Sequence, residues 1–462
     1  PDTEPLPFRC PNADSGDDTD HVLQRRLELD VNGSPGIVGE LFAAPETNPF
    51  LKYRALLHSY SAARSGGLSD DEFVAIVESL DEAVATVDGH GFRITPIHRA
   101  PNLAEALGVA DAWTKDETGN VSGTHKARHL MGTMLWLRVA ERIFPDDRRS
   151  VAAPLAIASC GNAALAAAVV ARAANRALDV FVPTSADSSV LDSLHDLRAR
   201  VVTCPRDETL VGDPCFQGFR EAIEEGALPF TCQGSENGLV IEGGKTLVWE
   251  MVSELAREEQ KIDNLFVQVG GGALGSACIQ GLKEARDLGV LDRLPVIHTV
   301  QTASASPLHR AWDTIMDKIL LRHQRETGQA APLLSGDLVR AQFVREEVLP
   351  LLVRDELHSA ATHRSESMWA WEEEPRSIAT GILDDETYDW FSLVEGMMMT
   401  GGVPLVVSEE SLAEAHHMVR EHTEIPADPT GTAGLAGLLE LNRSEMLSSD
   451  EVSAVLLTGI ER

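Results

Sequence analysis

The chain has 462 residues, of which 43% are hydrophobic and 24% are charged, and its formal net charge at pH 7 is −33. This length exceeds what one ordinary hydrophobic core organises and predicts two domains of typical size. The negative charge, without a basic stripe, argues against nucleic acids and anionic membranes as partners. No segment reaches the roughly 20 apolar residues that cross a bilayer, and the first residues lack a secretion signal, so we expect a cytoplasmic protein. Six scattered cysteines without a C-x-x-C pair are expected to be reduced thiols.

The first 90 residues are mixed and polar, and we predict that residues 1–90 form an N-terminal extension packed on a larger domain. An acidic cluster at residues 14–20 lacks the ligand spacing of a calcium loop, and we interpret it as solvated. Ser69 precedes three acidic residues, and apolar residues then recur at helical spacing. This pattern predicts an amphipathic helix over residues 73–87 with Ser69 as its N-cap.

From about residue 92 onward, short apolar segments alternate with longer amphipathic ones. The predicted strands cover residues 112–115, 153–158, 179–183, 200–203, 264–269, 295–300, 402–407 and 452–457. The predicted helices cover residues 125–142, 163–174, 188–198, 213–225, 243–259, 273–288 and 409–421. Short strands between helices of ten or more residues are typical of parallel sheets built from βαβ units. The predicted fold class is therefore α/β.

The alternation is interrupted between residues 308 and 376. Residues 322–332 have the composition of a polar connector, and the segments on either side of it are predicted to be helical. We interpret this region as an insertion or as a contact between subunits of an oligomer.

Lys126 lies at the start of a predicted helix, directly after a loop that contains Ser122, Gly123 and Thr124. Such a loop leaves backbone donors available, and a helix N-terminus favours nearby negative charge. An isolated lysine in this position is ordinarily a solvated surface residue. Its interpretation therefore depends on three segments further along the chain.

The glycine-rich segment Gly270–Gly275 follows an apolar strand and opens a helix, an arrangement that cradles a phosphate with backbone N–H groups. The same residues match G-x-G-x-x-G, the pattern of a dinucleotide site. That alternative expects an acidic residue about 20 positions further on. The next predicted strand is followed by Gln301 and Thr302 instead, which disfavours a nicotinamide or flavin.

Ser159, Cys160, Gly161 and Asn162 come directly after another predicted strand and precede an alanine-rich helix. Ligands of open α/β sheets bind at the carboxyl ends of strands. The alternative is that Asn162 only caps the helix. The third segment, Val455–Gly459, ends the last predicted strand and contains Thr458.

Taken together and in this order, these segments resemble the fold type II family of pyridoxal phosphate enzymes. The family includes threonine synthase, serine and threonine ammonia-lyases, diaminopropionate ammonia-lyase and the tryptophan synthase β subunit. The resemblance runs from about residue 94 to the C-terminus, excluding residues 308–376. It implies two open, twisted, mostly parallel sheets flanked by helices, and a homodimer that acts on a small amino-acid substrate. It also implies a large cofactor-binding domain of residues 91–126 and 241–462 and a small domain of residues 127–240.

By this resemblance the cofactor is pyridoxal 5′-phosphate, and Lys126 is the catalytic residue that forms the Schiff base with it. The implied cofactor-binding residues are Lys126, Asn162, Gly270, Gly271, Gly272, Ala273, Leu274 and Thr458. The implied substrate-binding residues are Ser122, Gly123, Thr124, Ser159, Gly161 and Asn162. The resemblance further implies that Ser377, Ala379 and Gly381 line the wall of the site. The alternative is that these residues belong to an ordinary loop.

The resemblance places Thr458 against the pyridine nitrogen of the cofactor. A neutral threonine cannot hold that nitrogen firmly protonated, which favours loss of the α-proton coupled to departure of a β-substituent over transamination. Lys126 then acts as the general base at Cα. The predicted reaction is an α,β-elimination through an aminoacrylate that releases a 2-oxo acid and ammonia.

Alternative functions stay open at this point. Thr124-His125-Lys126 looks like the tryptophan synthase β subunit, whereas Leu-Thr458-Gly is most like threonine synthase, so a β- or γ-replacement synthase is the runner-up. Arg128 and a pocket around Asp116 and Glu117 would then handle a phosphate leaving group or a second substrate. An alternative of another class is a catalytically silent paralogue that binds a metabolite or a partner subunit.

The remaining polar candidates have plain structural alternatives. His125 and His129 stand four apart on one helix face, but no glutamate lies between them as in H-E-x-x-H, so we predict no metal site. We interpret His416 and His417 as surface residues. Two roles stay open for Thr430 and Thr432, namely contact with the cofactor or capping of a helix.

Overall fold

The computed structural model describes residues 4–14, 16–27, 35–205, 213–328, 336–448 and 450–462. The chain divides by packing into two compact units. Unit 1 consists of Pro1–Cys10, Leu23–Thr95 and Gly119–Ser253, and unit 2 consists of Pro11–Val22, Pro96–Thr118 and Glu254–Arg462. These units are defined by contacts, and the predicted division into extension, large and small domains remains a prediction.

Strands and helices alternate along most of the chain. The strands are β1 (Ile97–Arg99), β2 (Asp111–Asp116), β3 (Leu155–Ala158), β4 (Leu178–Pro183), β5 (Arg200–Cys204), β6 (Leu228–Pro229), β7 (Asn264–Gln268), β8 (Val296–Thr302), β9 (Pro404–Val407) and β10 (Val452–Leu457). The first nine helices are α1 (Pro35–Ala43), α2 (Pro49–Lys52), α3 (His58–Ser65), α4 (Asp70–Asp88), α5 (Pro101–Leu107), α6 (Lys126–Ile143), α7 (Arg148–Ala152), α8 (Asn162–Ala173) and α9 (Ser188–Asp196). The others are α10 (Pro214–Glu224), α11 (Val240–Arg257), α12 (Ala273–Asp287), α13 (Pro307–Thr327), α14 (Asp337–Glu347), α15 (Pro350–Thr362), α16 (Trp390–Thr400), α17 (Glu409–His422) and α18 (Ala433–Arg443). The predicted α/β class is confirmed.

Unit 1 contains a four-stranded sheet in the order β5-β4-β3-β6, and all its strand pairs are parallel. The helix α4, which belongs to the same unit, has Ser69 as its N-cap, as predicted. The Ser69 side chain accepts a hydrogen bond from Glu72 N, and the Glu72 side chain accepts one from Ser69 N. This capping box satisfies N–H groups that have no partner inside the helix.

Unit 2 contains a six-stranded sheet in the order β1-β2-β10-β7-β8-β9. Only the β1–β2 pair is antiparallel. The central strand β10 pairs with β2 on one side and with β7 on the other, so the residues that follow β7 and β10 leave the same edge of the sheet. Buried strands covered by helices produce this layered arrangement because both faces of a parallel sheet are apolar.

Sequence periodicity missed β1 and β6, which have three and two residues and are too short to show an alternating pattern. The predicted connector at residues 322–332 is wrong in its first part, since α13 continues to Thr327. Arg322 stabilises that last turn, because its guanidinium pairs with Glu326 at 2.8 Å and with Glu356 at 3.0 Å. Residues 329–332, the end of the predicted connector, lie outside the described residues.

Within the described part of the acidic cluster at residues 14–20, Asp14, Gly16, Asp17 and Asp18 are exposed, as predicted, whereas Thr19 and Asp20 are half-buried. The Asp18 carboxylate accepts hydrogen bonds from Ser365 N at 2.8 Å and Ser365 Oγ at 2.9 Å. Burial raises the pKa of Asp20 to about 6. The cluster therefore anchors an N-terminal segment within unit 2. Among the helices that the structure describes, none is both long and apolar enough to span a membrane.

Candidate active site

In unit 1, Lys126 is the first residue of α6 and follows a loop that hydrogen bonds hold closed. Ser122 adopts a left-handed conformation with φ of 54°, and its N–H donates to the Asp88 carboxylate at 3.0 Å. The Asn120 side chain closes the loop, since it accepts from Val121 N at 2.9 Å and donates to Thr124 O at 3.3 Å. Lys126 itself is partly buried, and its ammonium forms no ion pair with any residue that the structure describes. Such a lysine is held in place by the backbone and keeps its amine available.

A buried ion pair supports the first turn of α6. The Arg128 guanidinium donates to both oxygens of the Glu250 carboxylate, at 2.6 Å and 2.9 Å, and to the hydroxyls of Thr246 and Thr95 at 3.0 Å and 2.9 Å. Both charged side chains are fully buried. A bidentate pair of this kind is directional as well as strong. It therefore sets the position of the helix turn that carries Lys126.

Close packing of α6 on α11 completes this support. A side chain at Gly243 would overlap the Arg128 carbonyl, and one at Gly132 would lie 2.6 Å from Gly243 N. The His129 ring also lies against Gly244 and hydrogen-bonds through Nδ1 to Val240 O at 2.8 Å. Glycines thus permit two helices to approach at backbone distance.

The segment Ser159–Asn162 connects β3 to α8 in the same unit. Gly161 is the N-cap of α8, and no side chain caps this end of the helix. Asn162 is the first helical residue, so the alternative that Asn162 serves as a plain N-cap is wrong. The helix packs against both α6 and the turn Val121–Gly123. Unit 1 therefore brings the predicted segments at Ser122–Lys126 and Ser159–Asn162 onto neighbouring elements.

In unit 2, the glycine-rich segment forms the predicted turn between β7 and α12. Gly272 is the N-cap of α12 with φ of 101°, a conformation that favours glycine. A side chain at Gly271 would lie 2.9 Å from Tyr388, and one at Gly272 would lie 3.0 Å from Asp389 and Leu393. No side chain caps α12, which begins with the buried residues Ala273 and Leu274. Uncapped N–H groups at a helix N-terminus are suited to an anion, so residues 270–274 form a candidate anion cradle.

Thr458 follows β10 at the same sheet edge and is 2% exposed. Its hydroxyl accepts a hydrogen bond of 2.7 Å from the side-chain nitrogen Nε2 of Gln268. Gln268 is the last residue of β7. Sequence reasoning missed Gln268. The available signal was an amide side chain at the end of a strand whose middle residues are apolar, two positions before the cradle.

The weaker candidates lie apart from these contacts or have structural partners. Thr430 Oγ accepts from Gly381 N at 3.0 Å, whereas Thr432 Oγ donates to Pro429 O at 3.2 Å and does not cap α18 with its side chain. The rings of His125 and His129 meet edge to face at 5.7 Å. Among the described residues, no group of three or more potential ligands could hold a metal ion. The surface interpretation fits His417, whose side chain is 74% exposed, better than His416, which is 17% exposed.

These residues fit pyridoxal phosphate by their chemistry. The chain supplies an available amine at Lys126, an uncapped glycine cradle for a phosphate, and a buried neutral hydroxyl at Thr458. This set differs from a dinucleotide site because no acidic residue ends β8, whose last residues are Gln301 and Thr302.

Comparison with known proteins identifies the family. The family described as "Pyridoxal-phosphate dependent enzyme" matches residues 90–348, which is more than half of the chain. The chain therefore belongs to the pyridoxal-phosphate-dependent enzymes of fold type II, and its cofactor is pyridoxal 5′-phosphate.

Individual relatives have different activities. The chain is 22% identical to threonine synthase of Methanocaldococcus jannaschii over 366 residues, which cover 79% of this chain and 74% of that protein. It is 27% identical to the catabolic L-serine/threonine dehydratase of Saccharomyces cerevisiae over 196 residues, which cover 41% and 51% of the two chains. The structure of diaminopropionate ammonia lyase from Escherichia coli matches 91% of this chain and 92% of its own, with 15% identity and a TM-score of 0.56. The last similarity establishes the fold, and the three together define an enzyme family with both lyases and synthases.

Proposed function

We propose that this enzyme is an ammonia-lyase that catalyses α,β-elimination on a hydroxy or otherwise β-substituted amino acid. The products are a 2-oxo acid and ammonia. Support comes from two cations, namely Arg128, which was the candidate for a phosphate leaving group, and Lys115, the neighbour of Asp116 in the chain. Arg128 is fully buried and donates to both oxygens of Glu250, and Lys115 is fully buried 3.8 Å from the Glu117 carboxylate. Neither charge is presented to a phosphate leaving group, and this is the observation that carries the proposal.

The chain's own residues account for the steps that elimination requires. When bound, pyridoxal phosphate supplies an electron sink for negative charge that develops at Cα. The Gly270–Leu274 cradle would hold its phosphate, Asn162 would contact its ring hydroxyl, and Thr458 would face its pyridine nitrogen. The amine of Lys126 removes the proton from Cα, and the ordered loop before it places that amine. Ser122–Thr124 and Ser159–Asn162 hold the substrate carboxylate.

A second candidate is a threonine synthase-like replacement. The observation in its favour is the similarity to threonine synthase over 79% of this chain, a longer match than that to the dehydratase. In that reaction a phosphorylated hydroxy amino acid would lose phosphate, and a nucleophile would add.

The deciding experiment measures 2-oxo acid release from L-serine, L-threonine, D-serine and 2,3-diaminopropionate, with pyridoxal phosphate and without a second substrate. Release from any of them supports the lyase. Phosphate release from a phosphorylated hydroxy amino acid, with formation of a new amino acid and no 2-oxo acid from the panel, would contradict it and support the synthase.

Lys126→Ala is the matched control for this assay. We expect it to abolish 2-oxo acid release and to leave the thermal unfolding midpoint of the cofactor-free protein nearly unchanged, because the Lys126 ammonium stabilises no described partner. A variant that keeps full activity would remove Lys126 from the mechanism.

A further inference from the structure

Gln268 is a buried amide with more acceptors around its nitrogen than it can serve. The side chain is 3% exposed. Its Nε2 lies 2.7 Å from Thr458 Oγ, 2.9 Å from Gly431 O, 3.1 Å from Leu456 O and 3.3 Å from Thr430 O. An amide nitrogen carries two protons. The two shortest distances assign these protons to the Thr458 hydroxyl oxygen and to the Gly431 carbonyl.

The orientation of this amide is determined by its surroundings. Exchange of Nε2 and Oε1 would place an acceptor against three carbonyl oxygens, which cannot donate. In the observed orientation Oε1 has no hydrogen-bond partner among the described residues, and an added Cβ at Gly434 would lie 3.0 Å from it. An unsatisfied buried acceptor destabilises a fold. The amide therefore leaves one acceptor unsatisfied while its nitrogen donates to the Thr458 hydroxyl and the Gly431 carbonyl.

We infer that Gln268 is a positioning residue that makes the Thr458 hydroxyl a hydrogen-bond donor toward the pyridine nitrogen of pyridoxal phosphate. The inference rests on the proposed function, in which Thr458 faces that nitrogen. Because Thr458 Oγ accepts a proton from Gln268, the hydroxyl's own proton is directed to a different acceptor. A ring nitrogen that accepts this proton stays unprotonated.

This hydrogen-bond direction selects the type of reaction. An unprotonated pyridine ring withdraws electrons less strongly than a protonated one. Elimination tolerates this weaker sink because the departing β-substituent takes up the electron pair. Transamination requires longer storage of negative charge and is disfavoured. Gln268, which does not reach the reacting atoms itself, thereby favours elimination through Thr458.

The test is a double-mutant cycle on cofactor affinity with Gln268→Met and Thr458→Val. Dissociation constants for pyridoxal phosphate are measured by quenching of tryptophan fluorescence in a Lys126→Ala background, so that covalent attachment does not mask the differences. Each single substitution is expected to weaken binding about tenfold, the effect of one lost neutral hydrogen bond. If Gln268 acts through Thr458, the double variant binds no more weakly than the weaker single variant.

A second buried glutamine provides the matched control. Gln301 is 1% exposed, and its side-chain nitrogen donates to Thr387 Oγ and to Val269 O, the carbonyl directly before the same cradle. The changes that Gln301→Met and Thr458→Val cause in the dissociation constant should multiply in the double variant. If the changes caused by Gln268→Met and Thr458→Val also multiply, Gln268 has a merely structural role and the inference is overturned.

An independent readout is the nitrogen-15 chemical shift of the pyridine nitrogen in labelled cofactor bound to the unsubstituted enzyme. The expected shift is that of an unprotonated nitrogen accepting a hydrogen bond, and a protonated nitrogen would overturn the inference. A protein that binds no pyridoxal phosphate would contradict the proposed function and the inference together. Binding without coupling between residues 268 and 458 contradicts the inference alone.

Discussion

Arg128→Met is expected to be among the most destabilising substitutions in unit 1. It would leave the Glu250 carboxylate fully buried without its bidentate partner, and the Thr246 and Thr95 hydroxyls would lose a donor. Removal of one member of a buried ion pair costs about 3–5 kcal/mol. For a unit of this size that loss lowers the unfolding midpoint on the order of 10 °C. An exposed pair is worth far less, so Arg93→Met, which removes a contact of 3.4 Å to Asp81, should cost less than about 1 kcal/mol.

The double variant Arg128→Met/Glu250→Met separates the two explanations for such a loss. Apolar side chains of similar volume remove the uncompensated charge, and replacement of both members of a buried pair is often close to neutral. We therefore expect the double variant to recover most of the stability, measured by urea unfolding of the cofactor-free protein. A double variant as unstable as the single one would refute the reasoning. It would show that Arg128 stabilises α6 by packing, not by charge.

Two further predictions concern the packing and charges near the same helix. Gly243→Ala should destabilise unit 1 by about 1–3 kcal/mol, because the added Cβ overlaps the Arg128 carbonyl. Gly119→Ala is the control and should not destabilise it, because nothing lies within 4 Å of an added Cβ there. Thermal unfolding of both variants is the measurement. Burial alone would raise the pKa of Glu242, but Lys245 at 2.7 Å and Arg25 at 3.0 Å, with the hydrogen bonds to this carboxylate, together outweigh burial and lower the pKa to about 2. A carboxyl group whose pKa is lower in the folded protein than in the unfolded chain stabilises the fold when the pH is above the unfolded pKa. For Glu242 this contribution is on the order of 3 kcal/mol, and it is lost as the pH falls from about 4.5 to about 2. Urea unfolding of Glu242→Gln should lack this acid-dependent part, and an unchanged pH dependence would contradict the assignment.

Local sequence patterns were sufficient for the elements that present the site. The capping box at Ser69 and Glu72 is contained in four consecutive residues. The strand–glycine–helix order at Gly270 likewise depends on neighbours in the chain, because periodicity and capping are properties of short segments. The cofactor family also followed from the order of such segments. Elements of two or three residues, such as β6, carry no periodicity and were not predicted.

The sequence by itself therefore determined the fold class, the cofactor family and the identity of Lys126 as the candidate base. Only the tertiary structure decided which distant polar residues contact Thr458 and which support the helix turn that carries Lys126. Gln268 reaches Thr458 across 190 positions, and Arg128 reaches Glu250 across 122. Neither pairing has a local signature, since a hydrogen bond between distant residues depends on which strands and helices become neighbours. Burial then gives these few polar contacts their energetic weight, because an amide or a guanidinium without water must be satisfied by the protein.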